Sequence, residues 1–230
     1  MSDFSLDPRL LKLLRAVVEE HVKTAQPVGS QALVEHHGLD VSSATVRNWF
    51  AELETAGYLA QPHTSGGRVP TESGYRLYVR SLSSGKALSK KAQETLKAAA
   101  SASSEPNVRM KQLARTLAEM LELAVFVRFA PFDSYYTGLS SLFAQPEFRD
   151  WQRVVSLSEV LDRLDEALPT LLPPKTATPI VLIGTESPFG PICATAYIER
   201  SGVLIGILGP LRLDYGRAIE ALQIISSLVS

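Results

Sequence analysis

The chain has 230 residues, of which 45% are hydrophobic and 20% are charged, and its formal net charge is −1. This balance is typical of a globular protein and excludes a disordered, fibrous or strongly basic chain. Cys193 is the only cysteine, which excludes an intrachain disulfide and a thiol cluster for zinc.

The N-terminal stretch MSDFSLDPRL lacks the basic and apolar segments of a secretory signal, and no apolar run is long enough to cross a bilayer. We therefore expect a cytoplasmic protein without a membrane partner. Residues 1–82 hold eight Lys and Arg against nine Asp and Glu. Contact with a nucleic acid would thus need a local arrangement of cations, because phosphate contacts supply most of the affinity.

The first part of the chain carries the signals of three helices. Apolar residues recur at helical spacing from Leu10 to Val22 and stop before AQPVGS, where the residue before proline disfavours a helix. The serine of that stretch, Ser30, can cap a second helix, QALVEHH. After the turn GLDV, Ser42 can cap a third helix, which Gly57 closes.

A hairpin and a short helix complete this part. The stretch YLAQPHTSGGRVPT has two extended pieces around a Ser-Gly-Gly tip, and TESGYRLYVRSL predicts a helix that carries Tyr75 and Tyr78 toward the core. Three helices followed by a hairpin are typical of a winged helix-turn-helix, whose second motif helix enters the major groove of DNA. We therefore predict a DNA-binding domain over residues 1–82.

The rest of the chain divides into a linker and a second domain. Residues 83–106 are rich in Ser, Ala and Lys, which predicts a linker with a weak, solvated helix near residues 88–100. From residue 107 to 230 the helical stretches are VRMKQLARTLAEML, LSEVLDRLDEALPTLL and DYGRAIEALQIISSLV. The strand-like stretches are ELAVFVRFAP, PIVLIGT, ICATAYIE and GVLIGILG.

Hairpin-linked strands among helices predict an α+β domain with a mostly antiparallel sheet. The stretch GVLIGILG is apolar on both sides, so we expect both faces of the sheet to be covered, with a partner chain as one candidate cover.

The third helix has a polar strip opposite its core side. A helical wheel places four residues toward the core: Val46, Phe50, Leu53 and Gly57. Asn48 points directly away, with Arg47 and Thr45 on the two flanks. Asn pairs with adenine and Arg with guanine or a phosphate. The alternative is an ordinary polar surface, but the neighbouring helix and hairpin favour DNA contacts by Ser42, Ser43, Thr45, Arg47 and Asn48.

The hairpin tip adds further donors. Gly66 and Gly67 permit positive φ there, which brings nearby side chains close to a phosphate backbone or a minor groove. An ordinary structural loop is the alternative interpretation. The candidate DNA contacts of this wing are His63, Thr64, Ser65 and Arg68.

Four stretches together resemble the HrcA family of bacterial heat-inducible transcription repressors: EEHVKTAQPVGSQAL, SSATVRNWFAELETAGYLAQPHTSGGRVPTESGYRLYV, GLSSLFAQPEF and GPLRLDYGRAIEAL. The resemblance spans most of residues 9–228. It implies a winged-helix domain, a GAF-like antiparallel-sheet domain with flanking helices and no catalysis, and a homodimer on double-stranded DNA. It further implies an inverted-repeat operator of the CIRCE type upstream of chaperonin genes, and a repressor whose active form the GroE chaperonin promotes.

The sequence departs from the family pattern at several positions. Family members commonly have Pro where Ser43 stands, a carboxylate where Trp49 stands and Ala where Gly66 stands. They also carry an inserted dimerisation subdomain before GLSSL, where this chain has only APFDSYYT. We therefore assign self-association to the apolar strands and closing helix of residues 107–230. The candidate dimer residues are Ile219, Leu222, Ile225 and Val229.

No catalytic, metal or cofactor site is predicted. The four histidines have no Cys or carboxylate at ligand spacing, and Cys193 fits a packed strand thiol. The stretches GTESPFG and LGPLR lack the fingerprint of a nucleotide loop. The alternative functions are a small-ligand sensor in the GAF-like domain, which fold analogy alone supports, and an adaptor without DNA binding.

Overall fold

The computed structural model describes most of the chain, namely residues 6–62, 66–82, 87–162, 166, 168–171 and 178–229. The chain divides into two compact units, Met1–Ser83 and Ser84–Ser230. Among the described residues, no helix is both long and apolar enough to span a membrane.

The first unit follows the predicted order of three helices, a hairpin and a closing helix. Its described elements are α1 (Pro8–Thr24), α2 (Ser30–His37), α3 (Ser43–Thr55), β1 (Leu59–Ala60), β2 (Val69–Pro70) and α4 (Glu72–Arg80). Strands β1 and β2 pair antiparallel, with Leu59 opposite Pro70.

Side-chain caps fix where these helices begin. The Ser42 hydroxyl accepts a hydrogen bond from the Thr45 amide at 3.1 Å, which confirms Ser42 as the cap of α3. The Thr71 hydroxyl accepts from the Gly74 amide at 3.1 Å and caps α4. Ser30 is not a cap, because α2 already begins at this residue after Gly29 and no side chain caps it.

The core of the first unit lies between α1, α3 and α4. It contains the apolar side of α1 and both predicted tyrosines, Tyr75 and Tyr78, which are 2% and 7% exposed. Gly74 allows α4 to approach the turn after α3, since a Cβ there would collide with the Tyr58 carbonyl oxygen. The Thr71 hydroxyl also donates to the Gly57 carbonyl at 2.7 Å. The start of α4 is therefore fixed against the end of α3.

The second unit combines helices with one antiparallel sheet. Its helices are α5 (Lys90–Ala100), α6 (Pro106–Leu121), α7 (Leu139–Phe143), α8 (Trp151–Asp162) and α9 (Tyr215–Leu228). Its strands are β3 (Ala124–Ala130), β4 (Asp133–Thr137), β5 (Ile180–Ile183), β6 (Cys193–Arg200) and β7 (Val203–Pro210). The strand order is β4-β3-β7-β6-β5, and every neighbouring pair is antiparallel.

Two elements differ from the sequence prediction. The stretch APFDSYYT, expected only to connect its neighbours, contains β4, an edge strand that pairs with β3. Helix α8 begins at Trp151, six residues before the predicted start at Leu157. Its first turn is stabilised by Asp150, whose carboxylate accepts from the Gln152 amide at 3.0 Å.

The chain itself covers both faces of the sheet. On one face, Phe126 and Leu208 join a buried cluster with Leu142 of α7 and Leu157 of α8. The alternate residues of β3, β6 and β7 point to the other face, where α6 packs on β3 and α9 packs on β6. At the central strands β6 and β7 the chain therefore provides both covers itself, and a partner chain is not needed there.

The predicted linker helix is also a packed element. Helix α5 contacts α6 and α9, and its Leu96 and Ala99 are buried. The low apolar content of residues 83–106 suggested solvation, but two apolar side chains three residues apart are enough to seat one side of a helix. Residues 90–100 therefore belong to the second unit.

Replacing Leu96 by alanine tests this assignment. Because Leu96 is fully buried, we expect Leu96→Ala to lower the free energy of unfolding by about 2–5 kcal/mol. Chemical denaturation followed by circular dichroism measures the change, with Glu94→Ala on the exposed side of α5 as the control. A loss of less than about 0.5 kcal/mol, the usual size for a surface site, would instead indicate that α5 is a solvated helix of the linker.

Candidate nucleic-acid interface

Helix α3 has one buried side and one exposed side, as the helical wheel predicts. Val46, Phe50 and Leu53 are at most 2% exposed, which confirms the core side. Arg47 and Asn48 are exposed, together with the small residues Ala44 and Ala51. Gly57 differs from the prediction, because it lies beyond the helix end, with φ +77, and is exposed.

The start of α3 is held by its own polar side chains. The Ser42 and Thr45 hydroxyls are 3.0 Å apart and share a hydrogen bond, in addition to the cap bond. Thr45 and Ser43 are half-buried, whereas Ser42 is exposed. Of the predicted serine and threonine contacts, Ser42 therefore has the most accessible side chain, and it faces solvent at the positive end of the helix dipole.

Arg47 is oriented by the neighbouring helix. Its Nε donates to the Ser30 hydroxyl on α2 at 3.4 Å, while the residue as a whole stays exposed. Neither terminal guanidinium nitrogen has a hydrogen-bond partner among the described residues, so both suit a bidentate partner. Within the described part of the chain, Asn48 makes no side-chain hydrogen bond. The structure thus places an accessible guanidinium and an accessible amide side by side.

Trp49, one of the departures from the family pattern, lies next to this surface. The Arg9 guanidinium at the start of α1 lies 5.9 Å from the centre of the Trp49 ring, within the range of a cation–π contact. Arg9 also pairs with Asp7 at 2.9 Å and approaches Glu52 at 3.9 Å. The surface beside α3 therefore carries both positive and negative side chains, and its arginines are each held by separate contacts.

Arg68 is placed differently from the other predicted contacts. Its side chain is only 16% exposed, and its Nε and Nη2 atoms both lie 3.0 Å from Glu54 Oε2 at the end of α3. Its Nη1 approaches the Gly67 and Gly66 carbonyls at 3.3 and 3.5 Å. The sequence predicted a donor presented to DNA, whereas the structure engages this guanidinium within the chain. The other three wing candidates, His63, Thr64 and Ser65, lie outside the described residues.

The segment between α1 and α2 pairs with the hairpin, which sequence analysis missed. The Val28 amide donates to the Arg68 carbonyl at 2.8 Å, and the Arg68 amide donates to the Val28 carbonyl at 2.9 Å. A Cβ on Gly67 would lie about 3 Å from the Pro27 backbone. The available signals were Gln26, which an extended backbone suits because a proline follows it, and the β-branched Val28.

Two histidines, the exposed His36 and the half-buried His37, form a cluster with the buried Glu20 that the sequence spacing did not reveal. Glu20 of α1 accepts from His36 Nδ1 at 3.0 Å and from His37 Nε2 at 3.1 Å, at the end of α2. A carboxylate therefore does accompany two of the histidines, because packing brings α1 and α2 together across sixteen residues. Among the described residues, no group of three or more such side chains could hold a metal ion.

Burial raises the pKa of Glu20, but the hydrogen bonds from His36 and His37 outweigh that effect and leave the pKa below its ordinary value. Because the pKa of Glu20 is lower in the folded state, its ionised form stabilises the fold, and this contribution is complete at pH values above the ordinary glutamate pKa. This contribution is lost as the pH falls through the lower, folded-state pKa.

A glutamine at this position tests the cluster. We expect Glu20→Gln to lower the free energy of unfolding by about 1–3 kcal/mol at neutral pH, because the amide cannot accept from both histidines. The loss of stability between pH 5 and pH 3 should also be smaller than in the parent protein. Thermal unfolding across this range measures both effects, and Glu19→Gln, an exposed neighbour on α1, is the control. Equal acid sensitivity of parent and variant would contradict the assignment.

In the second unit, the predicted dimer residues divide into two groups. Leu222 and Ile225 are 0% exposed, because this side of α9 packs against β6, α5 and α6. Their assignment to a dimer surface is wrong, since they belong to the core of the chain itself. Ile219 and Val229 are half-buried and remain accessible. The sequence showed which residues of this helix are apolar, and the packing decided which side faces inward.

Arg212 joins two of the stretches that carry the family resemblance. Its Nε donates to Glu147 Oε1 at 2.5 Å, and its Nη2 donates to Gln145 Oε1 at 2.6 Å. The stretches LFAQPEF and GPLRLDYG, more than sixty residues apart in sequence, therefore meet in one ion-paired contact. Cys193 is buried, which raises the pKa of its thiol to about 12 and confirms the predicted packed side chain.

The two units define a protein with an exposed polar helix in one unit and an antiparallel α+β body in the other. A family model described as "HrcA protein C terminal domain" matches residues 75–219. The chain belongs to the HrcA family.

Relatives with curated names agree with this membership. The chain is 45% identical over 124 residues to a heat-inducible transcription repressor HrcA of Thermobifida fusca, across 54% of this chain and 36% of that protein. It is 63% identical over 84 residues to the protein of the same name from Acidothermus cellulolyticus, across 36% of this chain and 25% of that protein. The matched part thus spans no more than about a third of these relatives' lengths.

A solved structure shares the fold. A crystal structure of a hypothetical protein superimposes with a TM-score of 0.79, over 98% of this chain and 97% of the other, at 18% sequence identity. At this identity the likeness concerns the fold alone.

Proposed function

We propose that this chain is a DNA-binding transcription repressor and that its first unit works as a winged helix-turn-helix. The single observation that carries the proposal is the exposed side of α3, where Arg47 and Asn48 stand beside the small residues Ala44 and Ala51. Small side chains let a helix enter a major groove deeply, and an arginine and an amide read base edges there. The names of the curated relatives support the same function.

In this proposal, α3 is the recognition helix and the β1–β2 hairpin is the wing. Asn48 pairs with an adenine, and Arg47 pairs with a guanine or clamps a phosphate. Ser42, Ser43 and Thr45 lie at the helix start, where hydroxyls and backbone amides suit phosphate oxygens. His63, Thr64 and Ser65 contribute wing contacts to the backbone or the minor groove.

Substitutions on α3 test the proposal. We expect Arg47→Ala and Asn48→Ala each to weaken operator binding by about 1–3 kcal/mol and to relax preference at particular bases. Affinities are measured on the duplex recovered by selection from random sequences and on a random duplex. Arg80→Ala, an exposed arginine on α4, is the charge-matched control. Equal losses on both duplexes would make these residues phosphate contacts, and no loss would remove α3 from the interface.

We further propose that the second unit is a GAF-like body that supplies a homodimer. A two-fold dimer matches an inverted-repeat operator of the CIRCE type, whose half-sites lie about one helical turn, or a multiple, apart. Ile219 and Val229 of α9 are the remaining apolar candidates for the contact, because both are half-buried in the single chain. The name "heat-inducible" of the relatives supports a response to heat. We propose that heat weakens the dimer and that the GroE chaperonin helps to form it.

Sedimentation tests the assembly. We expect the full chain to form a dimer on its operator duplex, and Ile219→Lys to shift it toward the monomer because a buried charge opposes association. The exposed Ser227 on the same helix gives the control, Ser227→Lys.

On warming, operator occupancy should fall, and added GroE should restore it. A chain that stays monomeric on its operator would exclude the dimer, and full affinity on warming without GroE would exclude the heat response.

A further inference from the structure

The β1–β2 hairpin is attached to the rest of the first unit by a set of contacts around Arg68, here termed the hairpin anchor. Its members are Pro27, Val28, Glu54, Gly67 and Arg68. Two backbone hydrogen bonds join Val28 to Arg68, and Gly67 packs without a side chain against Pro27. The ion pair to Glu54 then ties the same point to α3.

The guanidinium of Arg68 is fully used within this anchor. Each of its three nitrogens has a partner on the chain, either the Glu54 carboxylate or the carbonyls of Gly66 and Gly67. Its central carbon, Cζ, also lies 6.0 Å from the centre of the Phe50 ring, so the guanidinium lies against α3. A phosphate would compete with the Glu54 carboxylate and the two carbonyls for this guanidinium.

The anchor lies on the same side of α3 as Arg47. Glu54 follows Arg47 by seven residues, which is two helical turns, so both project from one side of the helix. Ser30 contacts Arg47, while Val28, two residues earlier, contacts Arg68. The segment from Val28 to Ser30 therefore connects Arg47, the side chain predicted to read bases, with Arg68 of the hairpin.

We propose that Arg68 is a positioning residue, and that its ion pair with Glu54 sets the hairpin at the correct place beside α3 for both to bind DNA together. This inference rests on the proposed DNA-binding function. It replaces the sequence prediction that Arg68 neutralises a phosphate. It also accounts for Glu54, a negative charge that would otherwise only oppose the binding of DNA by α3.

The two roles of Arg68 make opposite predictions for Glu54→Gln. If Arg68 binds a phosphate, removing the carboxylate frees the guanidinium and removes a repulsive charge, so binding tightens. If Arg68 positions the hairpin, the same change weakens operator binding by about tenfold, as expected for the loss of a charged hydrogen bond. Affinities of the full chain are measured on the selected operator duplex. Glu52→Gln, on the same helix with 48% of its side chain exposed, is the matched control and should bind as tightly as the parent or more tightly.

Two Arg68 variants complete the test. Arg68→Ala should weaken binding while the dependence of affinity on salt keeps its slope, whereas a lost phosphate contact lowers that slope by about one unit. Arg68→Lys should fail to restore affinity, because an ammonium cannot hold the carboxylate and the carbonyls in one plane. A lysine that restores binding, or a slope lower by about one, would overturn the positioning role.

Thermal unfolding of each variant separates positioning from folding. The proposal requires weaker binding by variants that are still fully folded at the temperature of the binding measurement. Tighter binding by Glu54→Gln would overturn this inference and leave the repressor function intact. If the parent chain retards no duplex at all, the proposed function itself fails.

Discussion

The burial of Val46, Phe50 and Leu53 is the constraint on which the candidate site depends. Each residue turns the helix by about 100°, so fixing these three against α1 leaves no freedom in where Arg47 and Asn48 point. The caps at Ser42 and Thr71 set the helix starts, and Gly74 lets α4 approach closely. The exposed surface of α3 is thus a consequence of the core beneath it.

Charged side chains in the first unit serve mainly to join its helices. Glu20 connects α1 with the end of α2 through two histidines, and Glu54 connects α3 with the hairpin through Arg68. Glu20 is buried, so removal of its partners would leave a poorly hydrated charge, which is costly, whereas the Glu54 side chain is 37% exposed and keeps part of its hydration. Under the proposed function, a unit with no excess of positive charge presents only a few cations to DNA, such as the exposed Arg47.

The second unit is built around a sheet that its own helices cover on both faces. Packing by α6 and α9 on one side and by α7 and α8 on the other buries two of the four apolar residues that sequence analysis offered to a partner. Leu222 and Ile225 are the clearest case, because both are completely buried. Of the four predicted dimer residues, the half-buried Ile219 and Val229 are the two that remain accessible to a second copy.

The sequence by itself determined the order of elements in the first unit, the cap at Ser42 and the outward side of α3. Caps and apolar periodicity are local signals that act within a few residues. The sequence by itself could not determine the roles of Arg68, Glu20 or Leu96. The partners of Arg68 and Glu20 lie many residues away, and those of Leu96 lie on other helices. Only the tertiary structure decided these, because the partner and burial of a side chain depend on which distant segments pack against it.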